Sequence, residues 1–210
     1  MTDNQTRDRI LKTASELFIK YGLRSISMDD IAHHLGVSKK TIYQYFKDKD
    51  QIVTLTMSQY LQQEKATLTN IGKQSEDPID LLLRVHQFLK RNVSETTANL
   101  VFELQKYHQK AWALMQEFRK EYLFNIVKDN IVDGVKEGVF RPEIDPEIAT
   151  RMRLEQASMA FNSDIFPRTK FDFKSVADCI LDHFVWGIAT EKGRKLYQKR
   201  KAGVIQAQQI

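Results

Sequence analysis

Apolar residues recur three and four positions apart along most of the chain, and no stretch alternates with the period of two that a half-buried strand needs. The pattern predicts an all-α protein. A first helix spans about Asn4 to Tyr21, with Ile10, Ala14, Leu17 and Tyr21 on one stripe beside Leu11 and Phe18, and Gly22 ends it. Asp48 caps a longer helix, with Gln51 at the capping-box position; it runs to about Ile71, where Gly72 is expected to stop it. Asp77-Pro78 opens another helix, an N-cap followed by proline at a position whose N–H has no partner anyway, with Leu81, Leu82, Val85, Phe88 and Leu89 as its apolar face. Further helical segments cover about 96–106 and 108–137, with Gly134 and Gly138 loosening the end of the second. Asp145-Pro146 repeats the start signal for a helix to about Asp164, and Pro167 falls in the loop beyond. The last long helix, about 173–191, follows Asp172. Its apolar positions Phe173, Val176, Ala177, Ile180, Leu181, Phe184, Val185 and Ile188 exceed the roughly 100° arc that one packing face requires. This helix is expected to pack against its own core and something else.

Residues 27–46, SMDDIAHHLGVSKKTIYQYF, are the most informative stretch. Ser27 is a good N-cap and Asp30 can complete a capping box. Ile31, Ala32 and Leu35 give the short helix one buried side, Gly36 permits a tight turn, and Val37 plugs the angle that follows. Ser38 then caps a second helix whose inward residues are Ile42 and Phe46. That is a helix-turn-helix, and it implies DNA binding. Lys39 and Lys40 occupy the first turn of the second helix, where the macrodipole disfavours cations, whereas the preceding helix carries Asp29 and Asp30 there. Such misplaced positive charge suits a phosphate-lined groove.

The chain of 210 residues is 42% hydrophobic, enough for one large or two small domains with a real core. Its net charge of +5 is unevenly held. Residues 1–50 carry +2 and residues 192–201, KGRKLYQKRK, carry +6, leaving the remainder about three units negative. The basic run reads as a solvated helix end whose cations suit the C-terminal dipole. A lone cysteine, Cys179, the absence of an apolar signal segment in MTDNQTRDR and the lack of any run of about 18 apolar residues point to the cytoplasm and away from a membrane. The polar stretch Gly72–Asp77 is the expected boundary: a helix-turn-helix domain over 1–50, leading into a linking helix over 48–71, then a second domain over 73–210.

The run from Ile10 through Gly22, followed by Ser27, Ile31, Ala32, Leu35, Gly36, Val37, Ser38, Thr41, Ile42, Tyr43, Tyr45, Phe46 and Lys49, resembles the DNA-binding domain of the TetR family of bacterial repressors. The likeness is close over the first fifty or so residues. Lys40 departs from the glycine found there in many members. The resemblance implies an all-helical homodimer on a palindromic operator in double-stranded DNA, with a C-terminal bundle that holds a small-molecule effector and dimerises. It implies phosphate contacts at Ser27, Thr41, Tyr45 and Lys49 and groove contacts at Lys39, Lys40, Tyr43 and Gln44. Gln44 can pair bidentately with adenine, and lysine can reach the guanine edge. Tyr43 and Tyr45 can instead pack inside the small domain. The two late helices would form the dimer interface, through Met152, Phe173, Ala177, Ile180, Phe184 and Ile188.

The second half says less. Phe102, Tyr107, Trp112, Met115, Phe118, Tyr122, Phe124, Met152, Met159 and Phe161 suit either an apolar cavity or ordinary core. His86 lies on the Leu82/Leu89 face and His108 near Trp112, each a candidate to orient a ligand or to be a hydrogen-bonded core histidine. His86, Trp112, Met115, Phe118, Tyr122 and Met159 are therefore the expected ligand contacts. No metal site, cofactor or catalytic set is expected: His33 and His34 are adjacent and point apart, Cys179 has no identifiable base, and no phosphate-binding glycine loop occurs. A DNA-binding protein answering to a protein partner, or to no ligand, is the alternative.

Overall fold

A computed structural model describes residues 3–92 and 95–207. Among these, helices follow one another as α1 (Asp3–Tyr21), α2 (Met28–Leu35), α3 (Lys39–Tyr45), α4 (Lys49–Gln74), α5 (Pro78–Asn92), α6 (Glu95–Tyr107), α7 (Gln109–Glu117), α8 (Phe124–Lys136), α9 (Pro146–Met159), α10 (Phe173–Ile188) and α11 (Glu191–Ala207). None of the described helices is long and apolar enough to cross a membrane.

The described residues form two compact units, residues 3–66 with 95–119 and residues 67–92 with 120–207. This grouping crosses the linear boundary expected at 72–77. In the first unit Ile10, Leu11, Ala14, Leu17 and Phe18 of α1 meet Ile31 and Ala32 of α2, Ile42 of α3, and Ile52 and Val53 of α4. Leu104 of α6 and Ala111 of α7 complete that core, so helices distant in sequence finish the burial that α1–α3 begin. The second unit buries Ile79, Leu82 and Leu83 of α5 against Ile131 of α8, Ala149 of α9, Leu181, Phe184 and Val185 of α10 and Tyr197 of α11.

Several elements depart from the sequence reading for identifiable reasons. Helix α4 continues through Gly72 to Gln74. A single exposed glycine costs a helix only about 1 kcal/mol and cannot by itself end one. The buried face of α5 is Ile79, Leu82, Leu83 and His86, while Leu89 is exposed; the apolar stripe is rotated from the one expected. The segment expected as one helix over 108–137 is interrupted by a π-helical turn, Phe118–Leu123. Gly134 does not loosen α8: a Cβ there would lie 2.0 Å from the ring of Phe140, so glycine permits a close approach. The helix expected to reach Asp164 ends at Met159.

Helix α10 stops at Ile188 because Ala189 is extended and forms an isolated antiparallel bridge with Phe140. The Thr190 hydroxyl then accepts from the Gly193 N–H at 3.1 Å and starts a new helix, α11. The basic run 192–201 therefore lies within a helix and is partly neutralised. Lys195 pairs with Glu191, Arg200 with Glu76 and Asp77, and Lys201 with Asp182.

Candidate nucleic-acid interface

Two short helices and their caps build the helix-turn-helix. The Ser27 hydroxyl accepts from the Asp30 N–H at 3.2 Å, while the Ser27 N–H donates back to the Asp30 carboxylate at 2.7 Å. This reciprocal box holds the Asp30 carboxyl below its ordinary range, chiefly through the Ser27 hydrogen bonds. Gly36 takes the left-handed conformation, φ 67°, that turns the chain into α3. Ser38 caps α3 by accepting from the Thr41 N–H at 3.1 Å. Ile42 and Phe46 are fully buried, which fixes the rotation of α3.

That rotation decides what faces outward. Lys40, Tyr43 and Gln44 are exposed at i, i+3 and i+4, and Lys47 is exposed just beyond the helix, after the extended Phe46. Lys47 was missed by the sequence reading, because helical spacing from Lys40 does not carry past the extended Phe46. Lys39 is also exposed but bonds to Asp29 at 2.7 Å, so the aspartate offsets its poor position at the helix start. An ion pair this exposed is weak in water, and a phosphate can compete for the lysine.

The remaining expected contacts stand differently. Both donors of Ser27 go to Asp30, since its hydroxyl also donates to that carboxylate at 2.6 Å; the residue is a cap rather than an open phosphate donor. The Thr41 hydroxyl lies 2.8 Å from the Ser38 hydroxyl. Tyr45 is half-buried against the small core, and its hydroxyl pairs with Asp3, which raises its pKa. Lys49 turns inward: its ammonium donates to the Leu23 carbonyl, and burial holds it below its ordinary pKa. Packing inside the domain thus engages Tyr45, for which it was one of the two expectations, and Lys49, which was expected on phosphate.

Contacts from far along the chain brace this unit. The Glu103 carboxylate of α6 accepts from the Leu23 N–H at 2.7 Å and the Arg24 N–H at 3.2 Å. His108 bonds to Asp50 at 2.9 Å, near the start of α4.

The expected ligand contacts do not fall in one unit. Trp112 packs on the first unit's core, and Met115 and Phe118 belong to that unit and are half-buried. His86, Tyr122 and Met159 belong to the second. There His86 is buried and bonded to Asp178 at 2.6 Å, Tyr122 hydrogen-bonds Thr69 at 2.7 Å, and Met159 is exposed. An open groove of about 660 Å³ lies between α1 and α4 within the first unit, lined by residues that include Lys12, Glu16, Thr56 and Tyr60. None of the six expected ligand contacts lines it. Of the expected dimer contacts, Met152 is exposed and Phe173, Ala177 and Ile180 are half-buried. Phe184 and Ile188 are instead core residues of the second unit, because the inward side of α10 is wide enough to include them.

A three-helix frame that displays a short capped helix with a polar, partly basic outer face defines a DNA-binding regulator. Residues 10–54 match the family model described as bacterial regulatory proteins, tetR family. The chain is 26% identical over 187 residues to the uncharacterized HTH-type transcriptional regulator YvaF of Bacillus subtilis, covering 88% of this chain and 96% of that one. It is 24% identical over 155 residues to the HTH-type transcriptional repressor KstR2 of Mycobacterium tuberculosis, covering 70% and 76%. In fold it is similar to a transcriptional regulator from Saccharomonospora viridis solved with choline, with a TM-score of 0.78 at 18% identity over 90% of this chain and all of that one. Residues 10–54 are thus a DNA-binding domain of the TetR type, and the chain is a DNA-binding transcriptional regulator.

Proposed function

We propose that this regulator is a repressor that binds a roughly palindromic duplex site as a homodimer and leaves it when a small molecule binds its second unit. The observation that carries the DNA reading is the outward stripe Lys40, Tyr43 and Gln44, set by the burial of Ile42 on the opposite side of α3, with Lys47 exposed just past its end. A major groove admits such a helix, where Gln44 would read a base edge and the lysines would meet phosphate or guanine. Ligand control is a shift between two states that the ligand binds unequally. The name of the relative KstR2 supports the sign of regulation.

Exposed apolar side chains support the dimer. Ile148, Met152 and Met159 are 59%, 54% and 39% exposed on one stripe of α9, and Trp186 of α10 is 40% exposed. A row of this kind is suited to burial against a second copy.

Selection from random duplexes, followed by titration at several salt concentrations, tests the DNA reading. Gln44→Ala should relax preference at one base position, at about 1–3 kcal/mol. Lys40→Ala or Lys47→Ala should lower the salt slope by about one if the residue meets only phosphate. Enrichment of no sequence by the wild type would overturn the reading. For the dimer, Met152→Glu should give a folded monomer in sedimentation, because the side chain lies outside the core. Phe184 cannot serve for that purpose, since charging it would unfold the subunit.

A further inference from the structure

The second unit buries a cation with nothing to balance it. Arg153 on α9 is only 8% exposed, yet among the described residues it makes no hydrogen bond and no ion pair. Its guanidinium carbon lies 5.5 Å from the ring centre of Phe184 on α10. Stacking of that kind attracts the face of the guanidinium but satisfies none of its five N–H donors, which lie in its plane.

Two carboxylates of α10, the helix whose Phe184 stacks on Arg153, are committed elsewhere. Asp178 on α10 holds His86 at 2.6 Å and both carboxylate oxygens engage Lys90, at 2.9 and 2.8 Å. Asp182 accepts from Tyr197 at 2.6 Å and pairs with Lys201 at 2.6 and 2.7 Å. Each of these clusters holds one lysine charge against one carboxylate charge, so the Arg153 charge is left over. Its field reaches His86 on α5 and Tyr197 on α11, which places it among the side chains of several helices. Burial pushes the guanidinium down to about 10, which still leaves it charged near neutral pH.

The guanidinium nitrogens of Arg153 are not themselves sealed from solvent, but a fully buried unsatisfied group lies on the same helix. The side-chain carbonyl of Gln156, three residues along α9 and so on a neighbouring part of the same face, is buried without a hydrogen-bond partner. A largely buried cation without a counter-charge and a buried unpaired amide oxygen are both costly in a finished core. They are sensible where a ligand completes the set.

The geometry points to a ligand site on the inner face of α9 for an organic carboxylate, with Arg153 taking the carboxylate in a two-pronged hydrogen bond and Gln156 accepting from an O–H or N–H of the same molecule. Arginine's planar fork matches a carboxylate in a way that a neutral or cationic head group cannot. This rests on the reading of the second unit as the ligand-binding half and names the chemistry that half recognises.

The test uses the full chain and straight-chain monocarboxylates of two to sixteen carbons, each beside the alcohol of equal length, with choline as the cationic probe. Binding is read by calorimetry and by the shift in melting temperature, since a ligand of the native state raises apparent stability. At least one carboxylate should bind ten-fold or more tighter than its alcohol, and choline should compete with none of them. Arg153→Met should lose that preference while leaving the free protein at least as stable as the wild type, because it removes an unbalanced buried charge. Arg153→Lys should retain part of it. If no carboxylate exceeds its alcohol ten-fold, or if Arg153→Met keeps the preference within two-fold, the assignment is overturned. Should the methionine variant not fold, the wild-type comparison of carboxylate with alcohol decides alone. Operator release is measured separately. A carboxylate that binds through Arg153 but leaves the operator bound upholds this site and overturns the effector reading. Release by a neutral compound while no carboxylate binds does the reverse.

Discussion

The helix-turn-helix and the helices of the second unit satisfy their polar groups over very different distances along the chain. Ser27 and Asp30 cap each other, and Ser38 caps Thr41, across three residues. In the second unit Asn130 donates to the Pro78 carbonyl 52 residues away, His86 meets Asp178 across 92, and Arg200 meets Asp77 across 123. A locally satisfied unit can leave its outer face free, and the outer face of α3 is where DNA recognition is proposed. A unit tied together across long separations puts charged groups inside, where an incomplete set such as Arg153 and Gln156 marks a place for something else. Local closure leaves the chemistry on the surface; long-range closure conceals it.

Gly193 is where the long-range frame should tolerate least. A Cβ at this position would lie 2.0 Å from the Val139 carbonyl oxygen and 3.2 Å from the Ala189 Cβ. That carbonyl is not free to retreat, because it also accepts from the Thr190 N–H at 3.0 Å. Gly193→Ala should therefore cost about 3 kcal/mol, the upper end for forcing atoms into a packed site. Urea unfolding measures it, and a loss below about 1 kcal/mol would show that α11 is docked less tightly than the structure has it.

Glu103 tests whether the first unit is as local as its caps suggest. The Leu23 N–H that it accepts belongs to a residue only 3% exposed, so removing the carboxylate strands a largely buried donor. Glu103→Ala should cost about 1–3 kcal/mol, and Glu103→Gln, which keeps an acceptor, should cost less. If the two variants unfold alike and close to the wild type, α6 is dispensable to the turn between α1 and α2, and the first unit is self-sufficient.

The same contrast explains what the sequence made legible. Ser27, Ser38, Asp48, Asp77, Asp145 and Asp172 all start helices as read, because a cap and its N–H partner lie within a few residues. The inward residues of α1 to α3 were likewise readable from spacing alone. Glu103 and Arg153 were not, since what matters about each is a partner, or the lack of one, set by helices dozens of residues away. The bond from Lys49 to the Leu23 carbonyl was hidden for a related reason: its partner is 26 residues distant. Trp112 looked like a cavity residue by composition, yet it packs on a core cluster most of whose members come from residues 10–53, which no window around position 112 contains.

Glycine gives the smallest effect and the cleanest contrast, because its meaning depends on backbone conformation that sequence does not display. Gly36 and Gly72 each follow a run of helical residues, and both read as stops. Gly36 is one, with φ 67°, where a side chain is strained by roughly 1–2 kcal/mol. Gly72 lies inside α4, is not among the glycines with positive φ, and has nothing within 4 Å of an added Cβ. Alanine at Gly72 therefore meets no clash and narrows the unfolded ensemble, so Gly72→Ala should stabilise the protein by about 0.4–1 kcal/mol. Gly36→Ala should destabilise it by roughly 1–2 kcal/mol although it too finds open space. Paired urea titrations read both signs in one experiment. If Gly72→Ala proves destabilising, α4 ends where the sequence alone had placed its end, and the continuous helix through residue 74 is wrong.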